Sequence, residues 1–494
     1  MKLSTKWLYV LLAVGVVLTS AWLTRFTDEG MGAGWAYDVL RNWEQYGFFH
    51  LHGQLVYNMG GFEVETHPEI YHNHRAVSLY PAFLCFHFLG GAAGIFVYYT
   101  LMAAMVFWSI WQILGRTEAA FWLGGLAVLT PGFVRWQTSM DPNLVAALFG
   151  FPFGAAVLML LRQPVWRWPQ VLALSALVLV YSMINWTTAF VHGMVVAFMV
   201  VAPKLFWRRL FIYVGLGVVC AGAVVALSLV TRLDPSKDGG AASLLTNYGW
   251  GNAGYGLDMA TSTAVLRVAF TNLVGLLPVW LFLAWRCRWP GLSFRLLAGF
   301  LPLLSAAGSF VVLRNYAGHH PWMTCHFILL GLILSAAALK LRLPGRRGVP
   351  AWAGIASVTL TFGYASVMLA LGHKHDDRQL ALIHFIRDQT PRSGILLAQE
   401  HETEVCYLFS RLETDRHSVV VPAALPIPVG DTNQFMVTTI KPPASSQRVA
   451  HLDLRETSRS WMDRCLDWYA KSIAHRRPGD KVEVQATDIY IYQP

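Results

Sequence analysis

Two carboxylates, Asp28 and Glu29, stand side by side directly after the first membrane-length apolar run, Trp7 to Leu23. A carboxylate at the edge of a bilayer is costly to hold unless it binds or reacts with something. A positioned carboxylate can take a proton from an attacking hydroxyl. A third acid, Asp141, stands alone in the segment Arg135–Asn143. Cationic donors occur in segments of the same polar character: His72, His74 and Arg75, then Arg314 with His319 and His320. Arg and protonated His suit phosphate oxygens, the guanidinium in a bidentate fork. Acids that accept a proton and cations that hold an anion, gathered in polar segments of an otherwise apolar chain, read as an active site at a membrane surface. Each feature also has a plainer reading. Asp28 shortly before a helical pattern, and Asp141 before Pro142, suit N-caps. The His and Arg residues suit lipid headgroups. His72-x-His74 could also ligate a divalent cation with Asp28 or Glu29, although that spacing does not specify a metal.

The elements that must position these residues are membrane helices. Hydrophobic residues make up 55% of the 494 and charged residues 13%, about half the usual charged share, with a mean hydropathy of +0.44. Apolar runs of spanning length recur near 7–23, 95–114, 119–136, 143–161, 169–184, 187–203, 210–230, 264–285, 296–313, 322–339 and 350–371. The expected fold is therefore an all-α polytopic bundle of about eleven transmembrane helices. No ladder of acids and bases runs through the spans, and Arg267 alone interrupts one near its end.

Connections between the runs alternate in charge. About fifteen bases, including Arg116, Arg162, Arg167, Arg208, Arg209 and Arg286, collect on one side with a single acid, Glu118. The positive-inside rule makes that side cytoplasmic, the N-terminus inside and the C-terminus outside. The net charge of +10 thus follows membrane topology, which excludes nucleic acid as the partner it would otherwise suggest. The first run could also be a signal peptide cleaved near Thr19-Ser20-Ala21, with the same loop orientation.

The candidate residues then share the outer face. The first outer loop, 24–94, contains two stretches too short to span, Gly34 to Trp43 and Ser78 to Leu89. Both have apolar residues at helical spacing and are expected to lie along the interface. From about His373 the composition changes, and the last quarter holds more than half of the Asp and Glu. Strands are expected at 394–398, 418–421, 435–438, 482–485 and 489–492, with helices around 380–386 and 461–473. The expected domains are a transmembrane domain, 1–372, and a small extracytoplasmic α/β domain, 373–494. Cys406 and Cys465 could pair if that domain faces an oxidising compartment, a pairing the spacing leaves open.

At these motifs the chain resembles the GT-C polytopic glycosyltransferases, in the branch holding protein O-mannosyltransferases and the aminoarabinose transferase of lipid A. Asp28-Glu29 ahead of a small-residue amphipathic helix resembles the family's acidic first-loop motif. His74-Arg75-Ala76-Val77-Ser78-Leu79-Tyr80-Pro81 resembles its basic, Pro-containing approach to a juxtamembrane helix, with His-Arg-Ala-Val standing where Lys-Pro-Pro or His-Pro-Pro is usual. Thr130-Pro131-Gly132-Phe133 with Ser139-Met140-Asp141-Pro142 resembles its second acidic segment. Phe385-Ile386-Arg387 and Tyr407-Leu408-Phe409-Ser410-Arg411 resemble the start of its outer domain. The resemblance implies inverting sugar transfer from a polyprenyl-phosphate donor to a lipid, glycan or protein hydroxyl. It also implies a bacterial inner-membrane location with the site on the periplasmic side. Asp28, Glu29 and Asp141 would be catalytic. His72, His74, Arg75, Tyr80, Arg314, His319 and His320 would bind the substrate phosphate. No cofactor is required beyond a divalent cation, if one binds. The competing reading from the residues is a transporter or flippase of a lipid-linked anion. Transporters place polar groups at mid-membrane on broken helices, whereas the charges here sit at the ends of apolar spans.

Overall fold

A computed structural model of the chain describes residues 34–58, 64–66, 68, 70, 76–116, 118–128, 140, 142–163, 166–185, 187–201, 207–230, 301–306, 321–342, 381–382, 385–399, 416–422, 433–453 and 488–493. Within them run helix α1 (Gly34–Tyr46), a short 3-10 turn (Ala76–Leu79), α2 (Tyr80–Leu89), α3 (Gly91–Ile113), α4 (Glu118–Val128), α5 (Pro142–Leu161), α6 (Trp168–Ile184), α7 (Thr188–Val201), α8 (Trp207–Val230) and α9 (Pro321–Arg342). Strands β1 (Ile395–Gln399), β2 (His417–Val421), β3 (Gln434–Thr438), β4 (Gln447–Asp453) and β5 (Asp488–Gln493) follow. The chain divides into two compact units. One comprises Met1–Ala21, His72–Cys85 and Ile95–Ala365, and the other Trp22–Tyr71, Phe86–Gly94 and Ser366–Pro494.

The first unit is a helical bundle. Helices α3 to α9 coincide closely with the apolar runs expected from 95 to 230 and from 322 to 339. The runs at 7–23, 264–285 and 350–371 lie outside the described residues, and of 296–313 only 301–306, helical, are described. Among the described residues, two stretches are long and apolar enough to cross a membrane, Ala93–Ile113 and Leu144–Leu161. Exposed apolar side chains gather on one helix. Helix α8 presents Phe211, 78% exposed, with Ile212, Val214, Val218 and Val219. A row of exposed large apolar side chains on a long helix needs an apolar solvent.

Helix α5 is central, packing against α6, α7 and α9. Gly150 makes this approach close. A Cβ there would stand 3.0 Å from Val191 Cγ2 of α7, 3.1 Å from Leu330 Cδ2 of α9 and 3.1 Å from Tyr181 Oη of α6. Without a hydrophobic driving force between helices in lipid, such small-residue crossings supply the packing contact. Gly331 plays the same part on α9, where a Cβ would meet Ala306 Cβ at 2.8 Å.

Arginines close the helix ends. Arg162, just past α5, donates to the carbonyls of Gln112 (3.3 Å) and Ile113 (3.0 Å) at the end of α3. Arg209, near the start of α8, donates to the carbonyls of Leu161 and Gln163 at the end of α5. The last carbonyls of a helix lack intrahelical donors, and a cation also complements the negative dipole end. At the opposite end of α5, Tyr181 Oη donates to Ala146 O at 2.8 Å, joining the start of α5 to the last turns of α6.

The second unit contains α1 and a five-stranded sheet in the order β2-β1-β3-β5-β4. β1 pairs parallel with β2 and β3, while β5 runs antiparallel to β3 and β4. Central β1 and β3 are buried on both faces, so they read as continuous apolar runs. Leu382 and Ile386 cover one face with Leu396, Ala398, Phe435, Val437, Ile489 and Ile491, while Leu397, Met436 and Val421 pack on the other. Strands β1, β2, β3 and β5 fall where the sequence pattern places them. Strand β4 was not expected. Its residues Gln447–Ala450 are largely exposed and its pairing with β5 breaks between Gln447 and Ala450, so no alternating pattern marks it. The strand expected at 482–485, the helix at 461–473, Cys406 and Cys465 lie outside the described residues.

Candidate functional site

Nine of the ten site residues singled out by sequence lie outside the described residues: Asp28, Glu29, His72, His74, Arg75, Asp141, Arg314, His319 and His320. The tenth, Tyr80, is the first residue of α2, half-buried, and burial pushes its hydroxyl above the usual tyrosine range. It therefore stays protonated at neutral pH and can donate a hydrogen bond.

The structure does describe the frame around these residues. Helix α1 begins five residues after Glu29 (34 − 29), the 3-10 turn begins directly after Arg75, α5 directly after Asp141, and α9 directly after His320. The 3-10 turn packs on α5 and α6, and α9 packs on α5 and α7. Since Arg162 and Arg209 gather at the far end of α5, the Pro142 end lies away from that cluster of arginines.

The first polar loop is tied together around α1. Its helical spacing buries Ala36, Tyr37, Val39, Leu40 and Trp43. Asn42, fully buried, donates through Nδ2 to the carbonyls of Val56 and Asn58, each at 3.0 Å. Trp43 Nε1 donates to Gln54 O at 2.6 Å. Val56 in turn bridges Ile70 in antiparallel fashion. A segment with a single β-bridge thus has three of its carbonyls satisfied by two side chains of one helix turn. Arg41 lies over the Tyr37 ring at 4.6 Å, and Tyr37 meets Phe86 edge-on at 5.7 Å between ring centroids. At the far end of α1, Glu44 Oε2 pairs with His87 Nδ1 of α2 at 2.7 Å.

Two polar groups here escaped the sequence reading. Asp38, one turn before Asn42, is buried on α1. His192 stands inside α7, in a run read only as apolar. Its Nε2 lies 3.0 Å from Ser182 Oγ of α6 and its Nδ1 2.7 Å from Tyr213 Oη of α8, while Phe153 of α5 packs edge-on against its ring at 5.0 Å between centroids. The spans are thus not free of ionisable groups. A single His in an apolar run carries no sequence signal, because its partners come from two other helices. Among the described residues no cluster of three His, Cys, Asp or Glu could hold a metal ion.

No protein-family model matches the sequence, and no curated protein does. Among solved structures, the chain is similar to the crystal structure of ArnT from Cupriavidus metallidurans in the apo state. The TM-score is 0.52, with 14% identity over 87% of each chain. The crystal structure of ArnT from Cupriavidus metallidurans bound to undecaprenyl phosphate aligns at a TM-score of 0.49, with 13% identity over 78% of this chain and 73% of that one. At such identity the likeness is one of fold, and the fold this chain shares is that of ArnT from Cupriavidus metallidurans.

Proposed function

We propose that the chain is a membrane glycosyltransferase that moves a sugar from a polyprenyl-phosphate donor to an acceptor hydroxyl, with inversion, on the periplasmic side of a bacterial inner membrane. The observation that carries this reading is the shared ArnT fold over 87% of the chain. Acids and cations placed next to the starts of the helices that build that fold support it.

In this reading Asp28 accepts the proton of the acceptor hydroxyl as its oxygen bonds to the anomeric carbon. The bond from that carbon to the phosphate oxygen breaks, and the electron pair leaves with the polyprenyl phosphate. A phosphate is a stable anion, so no general acid is needed. Glu29 orients Asp28 or binds the acceptor, and Asp141 positions the base or the sugar. His72, His74, Arg75, Arg314, His319 and His320 hold the phosphate and stabilise its growing charge, and Tyr80 donates a hydrogen bond. The positive ends of α5 and α9 add to that preference for an anion. The bundle of residues 1–372 carries the donor's prenyl chain, and residues 373–494 form a domain on the site's side of the membrane.

The test is Asp28→Asn in membrane vesicles supplied with a polyprenyl-phosphate sugar. Transfer should fall by about a hundred- to ten-thousandfold, the order expected for a lost general base, while expression and donor binding persist. Normal turnover in that variant overturns the assignment of the base. Donor movement across the bilayer with no sugar transferred, in the unaltered protein, overturns the transferase reading in favour of transport.

A further inference from the structure

Helix α1 has no basic residue in its last turn. A cation reaches that turn from more than three hundred residues away. Arg392 donates through Nη1 to Gln45 Oε1 and through Nη2 to Asn42 Oδ1 at 3.5 Å. Gln45 lies in the final turn of α1 and Asn42 directly before it, at the end where a positive charge complements the exposed carbonyls and the dipole. The acceptor Asn42 is the same side chain whose Nδ2 holds the Val56 and Asn58 carbonyls. One buried amide therefore joins three segments: α1, the 54–58 stretch and the tail.

The turn that presents Arg392 is itself fixed. Gly394 N donates to Pro391 O at 2.9 Å, closing a tight turn into β1. Asn433 Nδ2 donates to Ser393 O at 2.7 Å from the residue preceding β3. Arg416, buried at the start of β2, donates to Thr390 O at 2.8 Å and to Thr390 Oγ1 at 3.2 Å. Residues directly ahead of β2 and β3, the two neighbours of β1 in the sheet, thus hold the turn from both sides. A guanidinium on such a support acts as a fixed strut, because its planar fork loses little freedom per bond formed.

We propose that Arg392 is a positioning residue: the tail sheet uses it to fix the last turns of α1 and the 54–58 stretch that Asn42 holds, within the polar loop from which the transferase reading takes its acid pair. Its effect on rate rests on the transferase reading above; its geometry does not. A catalytic group displaced by about an ångström can lose a large part of its effectiveness, so a support remote from the chemistry still controls turnover.

The experiment compares Arg392→Ala, Arg392→Lys and Gln45→Ala in vesicles, with transfer normalised to folded protein. Arg392→Ala should lower kcat by roughly tenfold or more and leave KM for the donor within about twofold, because the strut touches no part of the donor in this assignment. Arg392→Lys should recover part of the loss, restoring the charge at the helix end without the fork. Gln45→Ala should show a smaller loss in the same direction. In parallel, Gln45→Cys with Arg392→Cys, treated with a short bis-maleimide in intact vesicles, should give a 45–392 cross-link identified by peptide mass. A protein that transfers sugar but is indifferent to Arg392→Ala overturns the positioning role alone. A protein that transfers no sugar at all fails the transferase reading and takes the rate effect with it. Absence of the 45–392 cross-link overturns the strut whatever the activity.

Discussion

The helical bundle and the α1–sheet unit are held by opposite means. In the bundle, position is set by shape: Gly150 lets three helices close on α5, and the polar contacts sit mostly at helix ends. In the other unit, α1 is placed by named polar bonds. Asn42 and Trp43 hold backbone carbonyls, and Arg392 reaches in from the tail. The contrast follows from solvent. A helix in lipid finds no gain in burying one apolar side chain against another rather than against lipid, so steric fit decides its neighbours. A loop at the water boundary has carbonyls to satisfy, and side-chain donors that do so also fix its path.

The sharpest way to break this contrast is at Gly150. Gly150→Leu should force α6, α7 and α9 away from α5, at a cost of about 3 kcal/mol. Loss of monodisperse protein in detergent, with Gly150→Ala much milder, is the expected outcome. A fully stable Gly150→Leu protein would mean that shape is not what sets this crossing. Next in size is Asn42→Ala, which leaves the Val56 and Asn58 carbonyls without their donor. The expected loss is roughly 2–4 kcal/mol, read as a lowered melting temperature and as faster amide exchange near residues 54–58, with the bundle helices unaffected. Equal loosening of α5 would erase the distinction between the two units. Smallest is His87→Ala. The Glu44–His87 pair is about half exposed on both sides, so its removal should change stability by less than about 1 kcal/mol. A larger effect would place this pair among the structural bonds of α1.

Much of this architecture was legible in the sequence, and the legible part is the part set by solvent. Seven described helices coincide with apolar runs, because twenty residues of hydrocarbon-compatible chain permit little else. Strands β1, β3 and β5 were visible through their buried apolar residues and β2 through its run of valines, although Val419 and Val420 are exposed, whereas β4, with exposed residues and a register break, was not. Side-chain bonds between distant segments were invisible. Nothing near Arg392 signals Asn42, and nothing near His192 signals Ser182 and Tyr213, because hydrogen-bond partners leave no periodicity. Arg162 and Arg209 were read as markers of sidedness, and in the fold they are also donors to helix ends. Of the candidate site residues, Tyr80 falls within the described residues, as the first residue of α2.

The carbonyl bonds of those arginines have a consequence for how such proteins drift over generations. Orientation in a bilayer asks only that enough bases lie on one side, so a base can move along its connection without changing the tally. A carbonyl at the last turn of α3 or α5 asks for a forked donor at one residue number. Positions 162 and 209 should therefore tolerate far less exchange, even to lysine, than a base that holds no such carbonyl.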